Sequence, residues 1–82
     1  MTIKDIKKIL SKAFINDKFE VFDVNNDNSH FSLIIISDKF IDLPLIDRHK
    51  MVYQLFEKYL TTKIHALQIK TYTMKEWKNN NK

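Results

Sequence analysis

No glycine and no cysteine occur anywhere in the 82 residues, and proline occurs once. Without cysteine the chain supplies no disulfide, no thiol nucleophile and no cysteine metal ligand of its own. Without glycine it can build neither a P-loop nor a GxGxxG dinucleotide fingerprint, and it lacks the GXXG loop that grips nucleic acid. Long apolar runs are missing too. The longest, Leu33 to Ile36, is strand-like, whereas a bilayer span needs about 18 residues. Residues Met1 to Asp5 lack a signal peptide's apolar core. The expectation is a soluble, cytoplasmic chain with no membrane partner.

The chain does carry an excess of positive charge, with 14 basic against 10 acidic residues and a formal +4. Every basic residue except Arg48 is a lysine, and they are spread along the whole length. Such a charge is compatible with weak phosphate attraction, yet most lysine-rich surfaces are simply solvated. The length allows one domain, which at this size buries about 60% of its unfolded surface.

Ile3, Ile6, Ile9, Leu10, Ala13 and Phe14 follow a three-four spacing, with Lys4, Lys7, Lys8 and Lys12 on the remaining face. That pattern predicts an amphipathic helix, with Thr2 as N-cap and Asp5 in the positive first turn. Lys18 to Asn25 and Phe31 to Ser37 read as strands. Between them, Asn25 to Ser29 can take the left-handed turn conformations that glycine normally supplies, so the strands should form a hairpin. Both faces of Leu33 to Ile36 are apolar, which predicts a central strand buried on both sides. After a connector from Asp38 to Pro44, a helix running to Thr61-Thr62 places Leu45, His49, Val52, Phe56, Tyr59 and Leu60 on one stripe. A third strand, Ile64 to Tyr72, alternates Leu67, Ile69 and Thr71 against Ala66, Gln68 and Lys70. Thr73-Met74-Lys75-Glu76 is a capping box opening a short helix. Its Trp77, with Tyr72 and Phe31, is expected to pack into the core. Asn79 to Lys82 reads as a disordered tail, leaving a single domain over residues 1–78. The order α-β-β-α-β-α predicts an α+β sandwich, a three-stranded mixed sheet with helices on one face.

No HExxH or HxH spacing suggests metal hydrolysis, and no nucleophile–base or general acid–base pair is visible, so an enzyme is not expected. The candidate functional residues are three histidines. His30 sits where the polar turn meets the second strand and, by position, reads as an exposed strand-entry histidine. His49, one turn before Tyr53, reads as a satisfied histidine beneath the sheet, flanked by solvated Arg48 and Lys50. His65 begins the third strand and reads as half-buried and bonded to backbone.

Five segments in order resemble the BolA-like proteins: Ser29-His30-Phe31, Ser37-x-x-Phe40, Arg48-His49-Lys50 with Tyr53, Ile64-His65-Ala66-Leu67, and Thr71-Tyr72-Thr73-x-x-Glu76-Trp77. The resemblance runs from about Ile3 to Trp77, and the short length is similar to the compact bacterial members. It implies a fold like the type II KH domain without the GXXG loop. It also implies partnership with a monothiol glutaredoxin, as an apo complex or around a shared [2Fe-2S] cluster. In that resemblance His65 matches the family's C-terminal cluster ligand, and His30 is the residue that fits the ligand in the first loop. Two positions depart from the family's pattern: Lys50 stands where arginine is common, exchanging a planar fork for a point charge, and Asp42 stands where glycine is common.

A [2Fe-2S] unit takes four ligands, and two histidines can replace two cysteines on one iron. With His30 and His65 from this chain, a glutaredoxin cysteine and a glutathione thiol would complete the set. No cofactor is expected for the isolated chain, and a monomer or weak homodimer is expected when it is alone. A second expectation is a DNA-binding regulator, a role also attributed to BolA-like proteins, using Arg48, His49 and Lys50 or the sheet-edge lysines.

Overall fold

In the computed structural model, which describes residues 1–80, two capping boxes fix where the first and last helices begin. Thr2 opens α1 (Ile3–Ala13). Its N–H donates to Asp5 Oδ2 at 2.9 Å, while its hydroxyl accepts the Asp5 N–H at 3.2 Å. Thr73 opens α3 (Met74–Asn80) in the same way, donating its N–H to Glu76 Oε1 and accepting the Glu76 N–H on Oγ1. In α1 the three-four spacing buries Ile6 and Leu10 completely, with Phe14 just beyond the last turn.

β1 (Lys18–Asp23) and β2 (His30–Ile36) form the expected antiparallel hairpin, with Val21 opposite Leu33. α2 (Leu45–Phe56) crosses back, and β3 (Ala66–Tyr72) joins β2 in parallel with Leu33 opposite Ile69. The sheet order is β1-β2-β3, so the hydrophobic strand is central. Val21, Leu33 and Ile69 form one inward row, and Phe31 and Leu67 belong to the next. Against them pack Ile6 and Leu10 of α1, Val52 and Phe56 of α2, and Phe40 from the 3₁₀ turn Asp38–Phe40. The expected mixed sheet and α-β-β-α-β-α order are both present.

Several details differ from the sequence expectation. The reverse face of β2 is closed only towards its C-terminal end, where Ile36 is buried while Ile34 is half-buried. Trp77 of α3 contacts Tyr72 there, with rings edge-on at 5.2 Å. α2 stops at Phe56, because Tyr59 and Leu60 both donate back to the Phe56 carbonyl and the chain then turns at Thr61, where φ is 71°. β3 starts at Ala66, one residue after His65. At the other end, α3 continues through Asn79 and Asn80, two residues of the expected tail. The remaining two residues of that tail lie outside the described residues.

The inward stripe of α2 is Arg48, Val52 and Phe56, one position displaced from the expected Leu45 and His49. Leu45 is 61% exposed. The displacement follows from Arg48, which is drawn inward by partners described below. No helix among the described residues is long and apolar enough to cross a membrane.

Candidate functional site

The turn between β1 and β2 is organised by two carboxylates. Asp23, the last residue of β1, accepts the N–H groups of Asp27 and Asn28 at 3.2 and 3.0 Å. Asn26 and Asn28 take the left-handed conformation, with φ of 54° and 56°, which their short polar side chains tolerate. Asp27 then folds over the strand entry. Its Oδ1 accepts the N–H groups of Ser29 and His30 at 3.0 and 3.1 Å, and its Oδ2 meets His30 Nδ1 at 2.6 Å. Desolvation, the largest single influence, works against ionisation, but the bonds from Ser29 N–H and from the ring and N–H of His30 together outweigh it. They hold the Asp27 carboxyl below its ordinary range.

His65 arrives from the far end of the chain. The parallel register sets His30 opposite Ala66, which leaves His65 beside Ser29. The His65 N–H reaches the Ser29 carbonyl at 2.8 Å and the Ser29 hydroxyl at 3.2 Å. The two imidazole rings lie with centroids 4.9 Å apart and planes inclined at 54°. The strand alternation would have turned His65 towards the core, but the strand begins only after it, and the residue is exposed instead of half-buried. His30 is the first residue of β2, and its side chain is 30% exposed and held by Asp27.

Two imidazoles side by side on an exposed corner suit a metal, since neutral imidazole is a good iron, zinc or copper ligand. They do not complete a site. No cluster of three or more His, Cys, Asp or Glu side chains able to hold a metal occurs among the described residues. The donor set therefore fits a centre whose other ligands come from elsewhere.

The Arg48-His49-Lys50 segment divides into three fates. Arg48 is 7% exposed, not solvated as expected. Its Nε donates to the Leu43 carbonyl at 2.7 Å, and Nη1 and Nη2 grip Glu76 at 2.6 and 3.1 Å. This fork is internal bracing, tying α2 to α3. Arg48 foremost, with the Thr73 N–H next, holds the Glu76 carboxyl down at about 2. His49 is half-buried at the helix flank. With Tyr53 it lines an open groove of about 470 Å³ that also includes His30, Phe31 and Leu67. Tyr53 closes one wall of that groove by donating its hydroxyl to the Leu67 carbonyl at 2.7 Å. Lys50 is exposed.

A second groove, of about 450 Å³, is lined by Lys8, Lys12 and Lys63 with Asp5, Ile9 and Tyr59. Sequence reasoning grouped neither Lys63 with α1 nor Asp27 with His30. Asp27 carried a signal only as a turn residue, and the direction of its carboxylate depends on the folded loop.

The family model for BolA-like proteins matches residues 10–76. The DNA-binding transcriptional regulator BolA of Vibrio cholerae is 36% identical over 93% of this chain and 78% of its own length. Among solved structures, BolA1 of Arabidopsis thaliana superposes with a TM-score of 0.81 at 31% identity, covering 89% of this chain and 92% of its own. The BolA domain of SufE1 from the same plant gives 0.80 at 31% identity, covering 93% and 98%. With the family model spanning the hairpin, both strands of the histidine corner and the start of α3, this chain is a member of the BolA-like protein family.

Proposed function

We propose that this protein is a non-enzymatic adaptor in iron-sulfur trafficking or iron-status regulation. It binds a monothiol glutaredoxin and contributes His65, with His30, to a bridging [2Fe-2S] cluster. The observation that carries this reading is the pair of rings 4.9 Å apart on an exposed corner of a chain without thiols. Imidazoles replace cysteines on one iron of such clusters, and the remaining thiolates come from the glutaredoxin cysteine and glutathione. The cluster supplies one-electron chemistry or is itself the cargo. The chain's own part is to present two ring nitrogens with free lone pairs.

The test is to combine the chain with a monothiol glutaredoxin, ferrous iron, sulfide and glutathione. A coloured heterodimer is expected, and His65→Ala should change its visible absorption and circular dichroism and weaken it by about tenfold or more. Absence of the coloured species, or an unchanged spectrum in His65→Ala, would overturn the assignment.

A DNA-binding regulator is the second reading, favoured by the name of the Vibrio cholerae relative and by the lysine face of α1. Lys4, Lys7, Lys8 and Lys12 are all exposed, and Lys63 joins two of them in one groove. Because Arg48 is spent internally, this face replaces the Arg48-His49-Lys50 helix as the candidate surface. Gel shifts at two salt concentrations separate phosphate attraction, which fades with salt, from retained sequence preference.

A further inference from the structure

We propose that Asp27 is a positioning residue that fixes the His30 ring with its proton on Nδ1 and its Nε2 lone pair outward, while Ser29 anchors His65 alongside. This rests on reading His30 and His65 as cluster ligands. A neutral imidazole has one protonated and one free nitrogen, and the partner of the first decides which is free. Asp27 is an ionised acceptor, so the 2.6 Å contact to Nδ1 is made by a ring proton on that nitrogen. The free lone pair is then on Nε2, away from the loop.

An exposed acid–histidine pair taken alone holds its geometry weakly. Here the same carboxylate also closes two backbone N–H bonds, at Ser29 and His30. The backbone of Asp27 is in turn held by Asp23. The ring is therefore oriented by a loop that is itself braced, the arrangement by which outer residues set the direction of a metal-binding histidine. Ser29 holds the backbone that carries the second ring. Covalently next to His30, it accepts the His65 N–H on both its carbonyl and its hydroxyl, and the Ala66 N–H on its carbonyl at 3.3 Å. The spacing of the two backbones that carry the rings is thus set through one residue.

Asp27→Asn gives a sharp test, because the amide keeps an oxygen for the two backbone N–H groups but presents an NH₂ to the imidazole. It should move the ring proton to Nε2 and remove the outward lone pair. Nitrogen-15 NMR of the His30 ring in the isolated chain, above the ordinary imidazole pKa range, reads the tautomer directly. The expected result is Nδ1–H in the natural chain and Nε2–H in Asp27→Asn. In the glutaredoxin mixture the variant should hold the cluster about tenfold more weakly, within the range for lost outer partners. Should Asp27→Asn fail to fold, Asp27→Ser keeps an oxygen near the backbone but is too short for the ring, and a mixture of tautomers is expected. A His30 ring whose tautomer is the same with Asp, Asn or Ser at this position overturns the proposal. If the tautomer moves as expected but the natural chain forms no coloured heterodimer, the ligand reading falls and the positioning role of Asp27 stands.

Discussion

At the level of single residues, a chain without glycine must still turn its backbone left-handed. Among the described residues Asn16, Asn26, Asn28, Asp42 and Thr61 do so. Four are Asn or Asp, which tolerate the conformation. Asp42, with φ of 65°, takes a conformation that favours glycine and that Asp tolerates. Thr61 is the costly member, because a branched Cβ crowds the carbonyl in this region. Thr61→Asn should relieve about 1 kcal/mol. Thermal unfolding would register that as a rise of roughly 4–8 °C for a domain this small, and an unchanged or lower midpoint would refute the strain. The Asn-rich hairpin turn was legible in the sequence because few other residues allow it. The bond from Asp27 to His30 was not, since composition shows that a carboxylate is present but not where a folded loop aims it.

Among the elements, α2 shows how a helical pattern misleads. Its apolar periodicity suggested an inward Leu45–His49 stripe, but a charged residue with a partner 28 positions away rotates the buried line onto Arg48. Helix periodicity counts apolar side chains and is blind to an ion pair formed between two helices. That pair has an acid signature. Glu76 ionises at about 2 in the folded chain, against an ordinary 4.5. A depressed carboxylate stabilises the fold above its unfolded value, and that contribution fades as pH falls through the folded one. Denaturant midpoints of the natural chain should therefore drop as pH is lowered from 4.5 towards 2. Glu76→Gln should start less stable at neutral pH and lose less across that window. Equal slopes for the two proteins would count against the Arg48 fork as the cause. Because the Glu76 side chain is 46% exposed, solvent screens the pair, and the difference is expected to be modest.

For the molecule as a whole, the element order and the central hydrophobic strand were readable because period-two and three-four patterns act locally. The register of β3 against β2 and the meeting of α1 with Lys63 are decided by packing between distant segments. If the α1 face contacts nucleic-acid phosphates, Lys8→Gln with Lys12→Gln should flatten the dependence of log affinity on log salt by about 2, while leaving His65 spectra of the glutaredoxin mixture unaltered. An unchanged slope would remove that face from consideration. The parallel pairing has a further consequence, for the order of events in the life of the chain. Ser29 and His65 are 36 residues apart in sequence, so closing β3 onto β2 costs more chain entropy than closing the hairpin. During synthesis His30 and its turn emerge well before His65 exists. In a nascent or partly opened chain His30 lacks its neighbour, and the pair of rings appears only once the last strand has docked.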